Sequence, residues 1–115
     1  MNINKFTQKS MEAVQNCEKL AYEHGNQQLE QEHVLYSLLT LEDSLILKLI
    51  TKMNISKEMF MNEAEQAVNR LTKVSGGGQL YVSNDLNKVL ISAEDEAKAM
   101  GDEYVSVEHL FLAML

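Results

Sequence analysis

The chain has 115 residues, of which 45% are hydrophobic, and it carries a net charge of −7. This length and composition fit a single domain with a packed core and exclude wholesale disorder. The acidic charge argues against nucleic acid and anionic membranes as partners. The N-terminus lacks a secretion signal, no apolar run approaches the roughly 20 residues of a membrane span, and the chain has one Cys, so we expect a cytoplasmic protein.

The first helix is predicted to begin after the N-cap Thr7 and to end at Gly25, because glycine adopts a positive φ freely. Phe6, just before the cap, is suited to a hydrophobic staple. Because Cys17 lies on the apolar face of this helix, we interpret it as a buried, inert thiol. Apolar residues recur at spacings of three and four along that face: Met11, Val14, Cys17, Leu20 and Ala21.

Three more helices are predicted before residue 75. The second runs from about Glu30 to Leu39, with a mostly apolar inner face. Thr40, followed three residues later by Asp43, looks like a new helix start. The third helix is therefore predicted from about Asp43 to Met53.

A fourth helix is predicted after Asn54, which suits a left-handed helix end, and Ser56, which suits an N-cap. It runs to about Thr72. Met61 falls off its apolar stripe, and we expect that side chain to be exposed. The methionines that lie on apolar stripes are interpreted as core residues: Met11, Met53, Met59 and Met100.

The run Ser75–Gly78 is interpreted as a flexible linker. A phosphate-binding loop would need a preceding strand and a following Gly-Lys-Ser/Thr, and the sequence indicates neither. A fifth helix is predicted from the N-cap Ser83 to Met100, where Gly101 ends it. Ser106 caps a sixth helix.

The two glycines that end helices, Gly25 and Gly101, lie 76 positions apart. The repetition of a helix end, a loop and a helix start at one offset predicts a duplicated unit. We therefore predict an all-α fold of two repeats, about 1–74 and 80–115, joined by the linker 75–79 and closed about an approximate twofold axis. The same offset superimposes further identical residues: Glu18 on Glu94, Ala21 on Ala97, Glu32 on Glu108 and His33 on His109.

The second repeat is shorter than the first. If the two were equally long, two further helices would follow Leu115. We therefore expect a fragment of a longer protein, in which Leu110, Phe111, Leu112 and Leu115 lack part of their cover.

The sequence contains no convincing catalytic or metal-binding constellation. His24, His33 and His109 lack the His-Glu-x-x-His and His-x-x-x-His spacings, and no Gly-x-Ser-x-Gly turn is present. We predict that this chain is not an enzyme and that it binds no metal or cofactor.

The pairs Glu32-His33 and Glu108-His109 admit two interpretations. In the structural one, each carboxylate favours the positive end of a helix dipole and each His side chain hydrogen-bonds to the loop that follows Gly25 or Gly101. In the functional one, two acidic helix starts form a recognition surface that attracts guanidinium or ammonium groups of a partner.

The order and spacing of these motifs resemble the N-terminal domain of the Clp family of AAA+ unfoldases, and most closely its disaggregase branch, ClpB. The resemblance extends over the whole chain. It is carried by these segments: Asn4–Thr7, His24–Gln27, Ala67–Val74 running into three glycines, Ser83–Leu90 and Gly101–Ser106.

The resemblance implies two pseudo-symmetric four-helix repeats and an apolar groove between them that binds unfolded or aggregated polypeptide. The polar binding positions that it implies are Thr7, Asp102 and Glu108, with Glu32 as the counterpart of Glu108. It also implies a homohexameric parent protein whose other domains bind ATP and Mg²⁺. Asn26 stands where the second repeat has Asp102, so the two repeats need not contribute equally.

Two alternatives to the disaggregase remain open. The Glu-His pairs resemble those of the ClpC and ClpA branch, whose N-terminal domains bind adaptor proteins or phosphoarginine-tagged substrates. In that branch the pairs stand in the sequence Gly-Thr-Glu-His. This chain differs, because it has Glu-Gln-Glu-His at 30–33 and Ser-Val-Glu-His at 106–109. The second alternative is a stand-alone helical adaptor with no unfoldase attached.

Overall fold

The computed structural model describes residues 3–74 and 79–115, and their architecture is helical, which confirms the predicted all-α class. A short 3-10 helix, Ile3–Lys5, comes first. Residues 75–78 of the predicted linker lie outside the described residues. The elements are α1 Gln8–Glu23, β1 Gln28–Leu29, α2 Gln31–Thr40, α3 Leu45–Lys52, α4 Lys57–Asn69, β2 Tyr81–Val82, α5 Asn84–Ala99 and α6 Val107–Met114.

The predicted helix caps and ends are confirmed at α1 and α5. The hydroxyls of Thr7 and Ser83 each accept a hydrogen bond from the backbone N–H three positions on, at 3.2 and 3.0 Å. Gly25 and Gly101 have φ values of +68° and +73°. Asn54, with φ of +60°, likewise follows α3 in the left-handed region.

The predicted start of α3 is wrong. Asp43 adopts a φ of +55°, which belongs to a loop and not to a helix start. Ser44 caps the helix instead, because its hydroxyl accepts from the backbone of Leu47 and donates to the carbonyl of Leu38 at 2.6 Å. Thr40 is the last residue of α2 and does not begin the next helix.

The fourth helix ends at Asn69, earlier than the predicted Thr72. Two hydrogen bonds to the first inter-helix loop draw the chain away from the helix axis. The Asn26 side chain donates to the carbonyl of Thr72 at 3.0 Å, and the N–H of Val74 donates to the carbonyl of Gly25 at 2.8 Å. These long-range contacts have no signature in the local sequence.

The predicted placement of the methionines is wrong at most positions. Met53, Met59 and Met100, which lie at or near helix ends, are 62%, 67% and 57% exposed. Met11 is half-buried against the core. Met61, which was expected to be exposed, is also half-buried against the core and joins the inner face of α4.

A short parallel pairing, absent from the sequence prediction, joins β1 to β2. Leu29, placed in a loop by the sequence analysis, is buried opposite Val82. The N–H of Ser83 donates to the carbonyl of Leu29 at 3.0 Å. Strands of two residues are too short to leave the alternating pattern by which a strand is predicted.

The same pairing recurs 76 positions away. Phe6 forms a parallel bridge with Val105, and the N–H of Thr7 donates to the carbonyl of Val105 at 3.0 Å. In each half of the chain, the segment before the first helix therefore pairs with the loop before the second helix of the other half. We call this arrangement the reciprocal pairing.

The buried apolar side chains form a cluster that draws on both halves of the chain. Helix α2 packs on α1 and α4, whereas α6 packs on α5 and α3. The apolar core therefore extends across the reciprocal pairing and holds the halves together. Its fully buried members include Leu38, Leu39, Ile46, Ile50 and Leu110.

Gly101→Ala is expected to lower the free energy of unfolding by about 1 kcal/mol, because an L side chain at φ of +73° is strained. A Cβ there would meet no heavy atom within 4 Å, so the loss reports backbone strain alone. Gly101→Asn is the matched control and should lose less, since asparagine tolerates this region. Urea unfolding measures both, and an alanine variant as stable as the asparagine one would refute the explanation.

Candidate functional site

An apolar cleft of about 400 Å³ lies between α3, the start of α4 and α6. We call it the α3–α6 cleft. Its lining is apolar apart from Glu108. Leu112 and Leu115 are 44% and 86% exposed there. The other walls include Leu49, Met53, Ile55 and Phe111.

The exposure of the cleft is explained by comparing α6 with α2. Leu38 and Leu39 in α2 are fully buried, and α4 packs on that helix. Their counterparts at the offset of 76 are Met114, which is half-buried, and Leu115. Leu112 and Leu115 are exposed as expected and Phe111 is half-buried, but the expectation is wrong for Leu110, which is fully buried against the core.

Glu32 and Glu108 occupy equivalent places in the first turns of α2 and α6. Both side chains are half-buried, and a carboxylate in a first turn is stabilised by the helix dipole. Glu108 also lines the α3–α6 cleft. A carboxylate beside an apolar cleft can accept hydrogen bonds from a ligand that fills the cleft.

His33 ties the start of α2 to the preceding loop. Its Nδ1 accepts a hydrogen bond from the N–H of Glu30 at 2.9 Å, so the ring proton is on Nε2, which donates to Oδ1 of Asn26 at 2.9 Å. Burial, together with the smaller effect of the nearby His24, lowers the pKa of His33 from 6.5 to about 4. The neutral ring is therefore the form that this site requires.

His109 makes the equivalent contacts at the start of α6. Its Nδ1 accepts from the N–H of Ser106 at 2.8 Å, and its Nε2 donates to Oδ2 of Asp102 at 3.0 Å. The predicted hydrogen bonds from the His side chains to the two loops are thus confirmed. Unlike Asn26, which is buried, Asp102 has a side chain that is 50% exposed.

Three of the four predicted binding residues surround the loop between α5 and α6. Thr7 bonds to Val105 through its backbone N–H, and Val105 lies between Asp102 and Glu108 in the chain. We call Thr7, Asp102, Val105 and Glu108 together the Val105 corner. Glu32 lies apart from it at the start of α2, whose preceding loop pairs with β2 instead.

Sequence reasoning missed the α3 and inter-helix residues of the cleft, namely Leu49, Met53 and Ile55. Met53 was interpreted as a core residue, but the buried residues of α3 are Ile46 and Ile50. The available signal was the width of the apolar stripe, which is broader than packing against the core requires.

Cys17 is buried as predicted. Burial raises the pKa of its thiol to about 12, and the Sγ contacts the hydroxyl of Ser37 at 3.4 Å. In residues 3–74 and 79–115, no group of three His, Cys, Asp or Glu side chains is arranged to hold a metal ion. No helix in the same ranges has both the length and the apolar character needed to cross a membrane.

Residues 5–115 match the family described as the Clp repeat N-terminal domain. The chain belongs to this family. It is 41% identical over 115 residues to chaperone protein ClpB of Porphyromonas gingivalis, covering 100% of this chain and 13% of that protein. It is 38% identical over 119 residues to chaperone protein ClpB of Nitratidesulfovibrio vulgaris, covering 100% and 14%. The predicted resemblance to the Clp family and its ClpB branch is confirmed.

Solved structures share the fold. The Hsp104 N-terminal domain from Candida albicans superimposes with a TM-score of 0.86 at 22% identity, covering 95% of this chain and 72% of that one. The N-terminal domain of the chaperone ClpD from Arabidopsis thaliana gives 0.69 at 16% identity, covering 97% and 78%. The chain spans about one-seventh of the length of the curated Clp relatives above, so it corresponds to an N-terminal domain of ClpB-like chaperones.

Acid should destabilise the domain through His33. The unfolded chain takes up a proton near pH 6.5, whereas the folded ring resists protonation until about pH 4. The free energy of unfolding should therefore fall as the pH drops from 6.5 to 4, by up to about 3 kcal/mol, and stop falling on this account below pH 4. Carboxylates also affect the free energy of unfolding at the acidic end of this pH range. Following the NMR shifts of the His33 ring protons therefore separates the contribution of His33 from theirs. A His33 that titrates near pH 6.5 in the folded domain would contradict this reading.

Proposed function

We propose that this domain captures unfolded or aggregated polypeptide for a ClpB-like disaggregase or unfoldase of which it forms the N-terminal part. In this proposal the parent protein is a cytoplasmic homohexamer that hydrolyses ATP in other domains, with Mg²⁺, and threads the captured chain. The domain itself is not an enzyme. The observation that supports the proposal is the match of residues 5–115 to the Clp repeat N-terminal domain family, and the α3–α6 cleft, with a carboxylate at its edge, is the surface that we propose for the client.

The cleft suits the feature that distinguishes unfolded proteins from folded ones, namely exposed apolar side chains. Removing apolar surface from water contributes about 25 cal/mol per Å². Leu112 and Leu115 supply such surface on the domain. The volume of about 400 Å³ lies at the small end of the roughly 300–1,000 Å³ typical of ligand pockets, so a short apolar segment fills it.

Binding by a single cleft is expected to be weak, and this suits a threading machine that must release its client. Association loses several kcal/mol of translational, rotational and side-chain freedom, which offsets most of the gain from a few buried side chains. Six domains tethered to one ring raise the effective concentration of sites around a client. Retention then comes from the number of domains and does not require high affinity from each.

The Val105 corner supplies the polar part of the proposed interface. The carboxylates of Asp102 and Glu108 and the Thr7 side chain can accept hydrogen bonds from backbone N–H, Lys or Arg groups of a client. Glu32 is proposed as the equivalent acceptor at the start of α2. An adaptor protein that presents an extended segment of the same chemistry would use the same surface.

The ClpC-like and stand-alone adaptor alternatives differ from this proposal in their ligand. Phosphoarginine joins a guanidinium to a phosphate, so a reader of that tag needs carboxylates at Glu32 or Glu108 together with phosphate donors. Free phosphoarginine should therefore shift amides near these residues only if the ClpC-like alternative holds. A stand-alone adaptor would bind a folded partner as well as or better than an unfolded one.

Leu112→Asp is expected to weaken binding of a permanently unfolded protein at least about tenfold, because it places a charge in the apolar cleft. Reduced, carboxymethylated α-lactalbumin is a suitable probe. It is acidic like the domain, so simple charge attraction does not drive the binding. Isothermal titration or fluorescence anisotropy gives the Kd.

Ile91→Asp is the matched control, since Ile91 is 54% exposed on α5 and does not line the cleft. It should leave the Kd within about twofold of the original value. Folded α-lactalbumin should show no measurable binding to the unsubstituted domain or to either variant. Equal losses in the two aspartate variants, or equal binding of folded and unfolded probe, would rule out capture at the cleft.

A further inference from the structure

The loops that follow α1 and α5 differ in the contacts made by Asn26 and by its counterpart Asp102. In the first, Asn26 is buried and both ends of its amide are used: Oδ1 accepts from His33 and Nδ2 donates to the carbonyl of Thr72. In the second, the equivalent residue is Asp102, half of whose side chain is exposed. The hydrogen bond that it forms with His109 engages Oδ2.

We infer that His109 is a positioning residue for client binding: by holding Oδ2 of Asp102, it fixes the other carboxylate oxygen towards the ligand beside Glu108. This inference rests on the proposed function. It assigns to His33, by contrast, a purely structural part, because the Asn26 amide is consumed within the fold. The loop before α2 and its counterpart before α6 therefore have different roles in this proposal. The first stabilises the fold, and the second binds the client.

The rigidity of His109 makes this division possible. The ring is 2% exposed, and its Nδ1 is fixed by the N–H of Ser106, so Nε2 carries the proton that Asp102 accepts. A half-exposed carboxylate without such a donor would sample several rotamers and would have to be ordered on binding. Holding it in advance lowers that cost, and in this way His109 acts on the client without touching it.

Two uncharged substitutions separate the contacts that the ring makes with Ser106 from the one that it makes with Asp102. The amide nitrogen of His109→Gln reaches about as far as Nε2, so it can still donate to Asp102. The amide oxygen of His109→Asn reaches about as far as Nδ1, so it can still accept from Ser106 but leaves Asp102 unheld. His33→Asn makes the same change in the first half of the chain and serves as the matched control.

The experiment measures the Kd for reduced, carboxymethylated α-lactalbumin and the melting temperature of each variant in the same buffer. We expect His109→Asn to raise the Kd about five- to tenfold, and His109→Gln to stay within about twofold of the original domain. His33→Asn should lower the melting temperature without changing the Kd of the folded domain. Asp102→Asn, which keeps an acceptor for His109 but replaces the second carboxylate oxygen by an amide NH₂ that cannot accept, should weaken binding.

Each outcome has a distinct meaning. If the original domain fails to bind the unfolded probe, the proposed function is wrong. If it binds but His109→Asn and His109→Gln have the same Kd, or His33→Asn weakens binding as much as His109→Asn does, the positioning role is wrong while the proposed function stands. A loss of binding that follows the melting temperature across all variants would likewise overturn the positioning role.

Discussion

The reciprocal pairing is the constraint on which the rest of the structure depends. The N–H of Thr7 bonds to the carbonyl of Val105, and the N–H of Ser83 bonds to the carbonyl of Leu29. Each bond joins the cap of one half's first helix to the loop before the other half's second helix. Since those loops also carry the His-anchored helix starts, this exchange fixes where α2 and α6 begin and how they face the core. It supports the proposal that the chain is built from two repeats.

The candidate site follows from the reciprocal pairing and from a difference in how the apolar faces of α2 and α6 are covered. In the first half, α4 packs on α2 and buries its apolar face, whereas the corresponding surface of α6 opens into the α3–α6 cleft. The pairing of Thr7 with Val105 then brings the cap of α1 beside the loop that carries Asp102. Glu108, in the first turn of α6, belongs both to the apolar cleft and to this set of acceptors. This combination suits the chemistry of an unfolded chain, which offers apolar side chains and unsatisfied backbone donors together.

Local signals predicted the fold class and the helix boundaries that depend on local chemistry. The caps Thr7 and Ser83 and the two glycines at positive φ follow from backbone requirements that neighbouring residues express. The end of α4 could not be predicted, because it is set by hydrogen bonds between the segment that follows the helix, at Thr72 and Val74, and a loop more than forty positions earlier. For the site, the offset between the Glu-His pairs located both acidic helix starts. Predicting the cleft would have required knowing which face of α3 the core leaves exposed. The width of the apolar stripe shows that part of it is exposed but does not say which part.

Native-state hydrogen exchange tests the reciprocal pairing most directly. The amides of Thr7 and Ser83 donate the bonds that lock the halves, so their exchange should require the same free energy as the most protected amides of α1 and α5 and should fall together with them in denaturant. That result would show that the halves separate only when the domain unfolds. Exchange of these two amides through a low-energy opening, while the helices stay protected, would show that the pairing does not hold the fold together and would contradict the account.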